Sequence, residues 1–384
     1  MIDQARRLAP RFAARAAAHD RDGSFPADDF ADLRGAGFFG LLVPQRLGGA
    51  GAGFADYAAV AYELARGNGA TALIFNMHAS VTGALAGVTD ELADALGLPP
   101  EAMRARDDHL RAAAAGSWYA VAMSERGSGS RLSQMASRYR AVDGGFHLEG
   151  AKTFCSGAGH ADAYLVAARS EADPTQVSQF LVPAGTGLRV EETWDALGMR
   201  ATASHDLHVD VTVPAGALLG GVEGLALVVA QLAPHWMVAS YAAVYVGVAR
   251  AAVDAAVEHV TARKLGHLPA IRARIGRADA AVAAAHLAVQ EAARRVDEAP
   301  GEAETNRWVW RAKLLAGTTA AEVAASMLEA AGTSAMRRGH PLERLYRDAR
   351  AGSLQPATSD VCADWLGVDA LGGDPDSDGS APRW

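Results

Sequence analysis

The chain has 384 residues, a formal net charge of −8 and a sequence pI near 5.8, with half of its residues apolar and 21% charged. That length can bury a large core in two or three packed units, whereas the acidic balance, with no basic run to neutralise phosphates, excludes nucleic acid as a main partner. The only two cysteines, Cys155 and Cys362, lie far apart without disulfide or metal spacing, which fits a reducing cytoplasm and predicts no metal site.

Met1-Ile2-Asp3-Gln4-Ala5-Arg6-Arg7 opens an amphipathic helix and not a signal peptide. No membrane partner is expected, because no apolar run approaches roughly 18 residues without a polar interruption. Residues 3 to about 115 read as Ala/Leu/Arg-rich helices punctuated by Gly35-Ala36-Gly37, Gly48-Gly49-Ala50-Gly51 and Pro99-Pro100. Within them Asp56–Arg66 carries apolar residues at helical spacing, which predicts Glu63 and Arg66 on the outer face. From Trp118 to about Leu219, short runs alternate apolar and polar between Gly, Asp and Pro. They cover 137–142, 146–148, 164–168, 179–182 and 207–213, all expected as short antiparallel strands. From Gly224 long Ala-rich patterns return, clearest over 238–262, 270–296 and 307–331, with a last helix over roughly 358–366.

The order helical, β, helical defines an α+β fold. A helical domain is expected over 1–117 and a central antiparallel β-barrel or sandwich over 118–222. A helical bundle follows over 223–370, then a Gly/Asp/Ser/Pro-rich disordered tail over 371–384.

Two segments of the central region carry chemistry. Ala122-Met123-Ser124-Glu125-Arg126-Gly127-Ser128-Gly129-Ser130 is a Gly/Ser-rich loop, whose backbone N–H groups and hydroxyls suit an anion or the polar edge of a ring. Leu148-Glu149-Gly150-Ala151-Lys152-Thr153-Phe154-Cys155-Ser156-Gly157 places an aromatic face beside a small hydroxyl donor. Together they are the parts needed to hold a flavin, whose reactivity is set by stacking and by nearby donors.

These motifs, with three more, resemble the acyl-CoA dehydrogenase family over nearly the whole chain. The others are Gly40-Leu41-Leu42-Val43-Pro44-Gln45-Arg46-Leu47-Gly48-Gly49, Leu197-Gly198-Met199-Arg200 followed by Val209–Pro214, and Leu345-Tyr346-Arg347-Asp348-Ala349-Arg350. The resemblance implies an N-terminal helical domain, a β domain and a C-terminal four-helix bundle, assembled as a homotetramer or dimer. It implies FAD, with FMN or reduced flavin as alternatives. Met123 and Ser124 are expected at the flavin pyrimidine, Gly129 and Ser130 in the loop near the pyrophosphate, and Phe154 on the isoalloxazine. Ser156 is expected near N5, Thr358 close to the dinucleotide, and Arg263 on the adenine side of a partner subunit's cofactor. His78 is expected in the substrate-side helix.

The departures from the family pattern bear on the reaction. The usual catalytic Glu position falls on Pro356, and the alternative base position on the first long C-terminal helix falls near Met237. Neither can take a proton, so His235 is the nearest replacement base. The Arg usually beside the thioester is replaced by Val238, while Trp236, Tyr241 and Tyr245 line the same stretch, which fits a less polar or aromatic substrate. The segment after Arg263 lacks the family's Phe, and Glu329 stands where a Gln is usual, a charge unfavourable beside a pyrophosphate. Ser204-His205-Asp206 cannot form a triad, since adjacent strand residues face opposite ways.

Three activities are consistent with this pattern. The first is α,β-dehydrogenation of an acyl thioester, on CoA or a carrier protein, with hydride transfer to flavin N5 and an external electron acceptor. The second is monooxygenation with reduced flavin, from a reductase, and O₂. The third is a degenerate flavin-binding scaffold.

Overall fold

The computed structural model describes residues 1–377. Six helices come first: α1 (Ile2–Asp22), α2 (Ala27–Gly35), α3 (Phe54–Gly67), α4 (Gly69–Gly87), α5 (Asp90–Leu96) and α6 (Pro100–Ala114). In α1 the buried residues Ala5, Leu8, Ala9, Phe12 and Ala16 form one stripe at helical spacing, and it packs on α3. Glu63 is not outward as its spacing predicts. It is buried on the α1 side of α3, where it accepts from Arg6 Nε (2.8 Å) and Arg66 Nη1 (3.0 Å). Two guanidinium partners make the inward position tolerable for a carboxylate.

Seven strands follow: β1 (Tyr119–Ala122), β2 (Arg138–Val142), β3 (Gly145–Cys155), β4 (Ala163–Ser170), β5 (Val177–Pro183), β6 (Leu188–Glu191) and β7 (His205–Pro214). They form one sheet in the order β1-β4-β2-β3-β7-β6, with β5 paired to β4. The expectation of purely antiparallel strands is corrected here, because β4 runs parallel to both β1 and β2. Parallel neighbours need a crossover connection. Residues 123–162, containing both flavin-type motifs and the β2–β3 hairpin, provide it.

The C-terminal part holds α7 (Leu225–Leu232), α8 (Ala239–Ala262), α9 (Pro269–Glu298), α10 (Ala303–Ala331), α11 (Pro341–Leu354) and α12 (Ser359–Ala370). Helices α8 to α11 pack on one another as a bundle, and Trp310 of α10 stacks on Trp365 of α12. Residues Pro234–Ala262 are apolar and long enough to cross a membrane by length and composition, but 83% of their 18-residue apolar window is buried inside the protein. This is a core helix by position. Of the expected tail, residues 371–377 return onto α12, with Gly373 N–H donating to Val368 O and Trp365 Nε1 to Asp376. Residues 378–384 lie outside the described part.

The three regions are fastened at one point. Arg347 of α11 pairs with Asp20 of α1 (Nη1–Oδ1, 2.9 Å) and also donates to Leu197 O of the β6–β7 loop. The motif over 197–200 and the Arg-Asp motif of α11 are therefore two halves of one junction.

Candidate flavin and substrate site

The two motifs of the central region meet directly. Thr153 N–H donates to Ser124 O (2.8 Å), so the Met123-Ser124 turn lies against the end of β3. Glu125 organises the Gly/Ser loop. It closes a two-way backbone pair with Gly129, its carboxylate accepts from the N–H groups of Ala136 and Ser137, and Lys152 Nζ reaches it at 2.7 Å. Burial pushes Glu125 up, but Lys152 and these donors outweigh that and hold it below the usual carboxylate range. The motifs alone do not distinguish Glu125 and Lys152, and this clamp emerges only in the fold. A lysine inside an otherwise apolar strand end was the available signal.

Phe154 sits at the β-bulge between Lys152 and Cys155 with φ +56, the left-handed region that non-glycine residues rarely occupy. Its ring is 62% exposed and stands edge-on to Trp194 (6.1 Å, 90°). A strained backbone that holds an aromatic face in solvent fits a stacking ligand better than a core role. Ser156 is buried, with Oγ 2.9 Å from Ser204 Oγ, and Ser204 in turn meets Thr202 (2.7 Å). Ser130 is half-buried in the same loop as Gly129, which has φ +63. The neighbouring Ser128 Oγ is buried without a hydrogen-bond partner, as a loop awaiting a polar ligand would leave it. The residues present fit a flavin: a stacking ring, hydroxyls and an anion-type loop.

A second face runs along the start of α8. Met123 and Met237 both pack against the cluster of Leu132, Met135 and Ala226, which joins the flavin-type loop to that face. Tyr241 and Tyr245 follow Met237 at successive turns. Tyr241 reaches Met77 of α4, and Tyr245 is buried with its hydroxyl donating to Gln355 Oε1 (2.6 Å). Trp236 packs on Phe54 and Tyr57, its carbonyl held by Ser80 and Ser240. Its indole fills the notch left by Gly83, where a Cβ would lie 2.0 Å from Cζ2.

His235 is buried in the turn before α8, edge-on to Phe54 (5.3 Å), with Nδ1 unpartnered. Burial alone pushes its pKa down to about 4, so it is neutral near pH 7 and able to accept a proton. His78 does not offer a free nitrogen to a pocket. Its Nδ1 accepts from Tyr119 N–H (3.1 Å) and its Nε2 bonds Phe39 O (2.8 Å), which pins α4 to β1.

Thr358 accepts from Val361 N–H as the N-cap of α12, two residues after Pro356. Arg263 is exposed at the far end of α8, about 33 Å along the helix from Tyr241. One chain therefore does not bring it to the other candidates. Glu329 is paired on the surface with Arg274 (2.6 Å), which offsets the charge expected to disfavour a pyrophosphate. Ser204, His205 and Asp206 point apart: Asp206 is held by Thr153 and Arg126, and His205 Nδ1 accepts from the N–H groups of Thr193 and Trp194.

Three domain families match the chain. Residues 1–95 match the acyl-CoA dehydrogenase N-terminal domain, 120–212 its middle domain and 239–359 its C-terminal domain. The chain belongs to the acyl-CoA dehydrogenase family. It is 33% identical to the amino sugar nitrososynthase RubN8 of Streptomyces rubradiris, over 94% of this chain and 87% of that one. It is 29% identical to the putative acyl-CoA dehydrogenase YdbM of Bacillus subtilis (strain 168), over 95% of each. It is 28% identical to a dibenzothiophene monooxygenase of Rhodococcus erythropolis (strain XP), over 96% of this chain and 92% of that one. Among solved structures, KijD3 in complex with FMN and dTDP-3-amino-2,3,6-trideoxy-4-keto-3-methyl-D-glucose superposes with a TM-score of 0.82 at 28% identity, covering 97% of this chain and 94% of that one. The relatives include flavin oxidoreductases of more than one reaction type, and the chain is an oxidoreductase of that family.

Proposed function

We propose that the chain is a flavin-dependent monooxygenase that takes reduced FMN, supplied by a separate reductase, and O₂, and oxygenates an uncharged substrate carrying an aromatic ring. The observation that carries this reading is the substrate face itself. The positions from which this family draws its α-carbon base fall on Pro356 and near Met237, while Trp236, Tyr241 and Tyr245, which we assign to the substrate side, put aromatic rings along the same stretch. Oxygen transfer needs no carboxylate at the substrate carbon, whereas dehydrogenation does. The monooxygenase and nitrososynthase relatives, and the FMN in the superposed structure, support the same reading.

When bound, reduced flavin supplies the two electrons that divide O₂ between substrate and water. The protein's part is positional. Phe154 and Trp194 offer a ring face and an edge for the isoalloxazine, Met123 and Ser124 their backbone groups, and Ser128 its unpartnered hydroxyl. Ser156, oriented through Ser204 and Thr202, presents a hydroxyl next to Phe154. The aromatic wall excludes water, which protects a reactive centre from side reactions. Neutral His235 can accept a hydrogen bond from a substrate N–H or O–H.

Dehydrogenation is a second reading, favoured by one observation: the buried, unpartnered Nδ1 of His235 could serve as base. A homotetramer or dimer is proposed with either activity, because Leu287, Leu315 and Leu354 stand exposed on α9, α10 and α11. A cytoplasmic setting fits two free, buried thiols.

The deciding experiment mixes FMN-loaded protein anaerobically with an acyl-CoA panel, and separately supplies reduced FMN and O₂ with indoles, thiophenes and aryl amines. Oxygenated product with no anaerobic bleaching near 450 nm is expected. Bleaching by any acyl-CoA would replace this reading with dehydrogenation.

A further inference from the structure

Lys313 lies in the middle of α10, fully buried at 0% exposure. It shares a stripe with Val309, Ala316 and Ala320, all apolar and buried. Its ammonium group contacts three main-chain carbonyls: Gly352 O at 2.9 Å, Gln355 O at 3.2 Å and Ala357 O at 2.9 Å. An ammonium has three N–H donors, so the set is saturated. The acceptors straddle the break between α11 and α12. Gly352 lies in the last turn of α11, whose carbonyls lack helical partners and form the negative end of its dipole, and Ala357 immediately precedes the α12 cap.

No carboxylate is among the groups it contacts. Burial pushes its pKa down to about 8, a penalty that an apolar residue of the same shape would not carry. Cys362 Sγ approaches the same Ala357 carbonyl from α12. The turn that Lys313 holds is the one that presents Gln355 to Tyr245, and Gly352 fits flat against that tyrosine, where a Cβ would lie 2.8 Å from its ring.

We infer that Lys313 is a positioning residue: its ammonium fixes the α11–α12 turn so that Gln355 locks Tyr245 and closes the far end of the aromatic substrate face. The inference rests on the flavoenzyme reading of that face. A buried charge spent wholly on backbone carbonyls specifies one turn conformation, where a methionine would leave several open. Loss of the charge leaves the buried Gly352 carbonyl and the half-buried Gln355 carbonyl without this donor, and Ala357 O with only the Cys362 thiol, so the turn loosens.

The test uses the full chain with FMN and the substitution Lys313→Met, read by hydrogen–deuterium exchange and by the visible circular dichroism of bound FMN. Exchange over residues 352–362 is expected to rise at least tenfold while the rest of the bundle is unchanged. The flavin dichroism is expected to change with FMN affinity within about twofold of the parent. Unchanged exchange in that segment, loosening spread across the whole bundle, or unchanged dichroism would each overturn the inference. If Lys313→Met does not accumulate as folded protein, Gln355→Leu cuts the turn from Tyr245 and leaves the ammonium in place. It must then alter the dichroism, and an unaltered spectrum overturns the inference. Failure of the functional reading is separately visible as a parent protein that gives no flavin dichroism at all, in which case localised exchange alone decides the role of Lys313.

Discussion

The main-chain N–H of Met199 donates to the buried carboxylate of Asp348 at 2.6 Å, joining the β6–β7 loop to α11 across 149 positions of sequence. The carbonyl of the same Met199 accepts from Trp194 Nε1 (3.1 Å), and Trp194 stands edge-on to Phe154. A carboxylate in the C-terminal bundle thus helps set the Phe154–Trp194 pair, the stacking face proposed for the flavin.

Asp348→Ala should destabilise the protein by about 2–4 kcal/mol, because it strands the Met199 N–H and the Arg344 guanidinium that also contacts the carboxylate. Asp348→Asn, which keeps an acceptor, should lose less. Thermal denaturation of the two variants checks the order. Equal losses would show that the charge and not the acceptor matters.

Phe154→Ala should weaken FMN binding about tenfold, the size of one lost aromatic stack. It should leave the melting temperature unchanged, since the ring is exposed and contributes little to the core. Flavin fluorescence titration measures the first and calorimetry the second. Unchanged affinity would remove Phe154 from the site.

Glu125→Gln should loosen the Gly/Ser loop and reduce FMN affinity, because Lys152 would be buried without a carboxylate. Adding Lys152→Met should recover part of the loss in a double-mutant cycle. The pH dependence follows from the depressed Glu125 pKa: its stabilising contribution is complete above the ordinary value of 4.5 and disappears as pH falls through the lower folded value.

His78 and His235 are both pushed by burial from 6.5 down to about 4. The unfolded chain takes up a proton at each near pH 6.5, and the folded chain only near pH 4. Stability should therefore be flat above about pH 6.5 and fall as pH drops toward 4, by up to about 3 kcal/mol for each histidine. Urea titrations across that range should show a slope of at least two protons, since burial also lowers His109, His160, His286 and His340, and His78→Gln should reduce it by about one. A parent slope of zero would mean that neither histidine is held neutral.

Gly83→Ala should displace the Trp236 indole from its notch at a cost of about 1–3 kcal/mol, as overpacked cores do. A shift in tryptophan emission with reduced affinity for aromatic substrates would accompany it. An unchanged emission spectrum would show that α4 can bend away instead.

The order of helical and β regions was legible because hydrophobic period is a local signal, and the existence of a Gly/Ser loop after β1 because such clustering is local too. Most of the misread features depend on partners distant in sequence, the ordered start of the tail being a local exception. Glu63 faces inward only because Arg6, 57 positions away, receives it. His78 is a pin only because Phe39 and Tyr119 lie 39 and 41 positions from it. The parallel pairing of β4 depends on where a crossover returns, and strand composition does not encode that. Lys313 was visible as one charge in an apolar stripe, but its three carbonyl partners were not.

The ion pair between Asp20 and Arg347 spans 327 positions. During synthesis, at about 5–20 residues per second, α1 leaves the ribosome roughly 15 to 65 seconds before its partner exists. Through that interval the first helix lacks its bundle counterpart, although the β6–β7 loop, whose Arg200 donates to Asp20 O, is made well before Arg347. Provisional packing of the nascent α1, on α3 and then on the β6–β7 loop, therefore precedes the ion pair by which α11 fastens it.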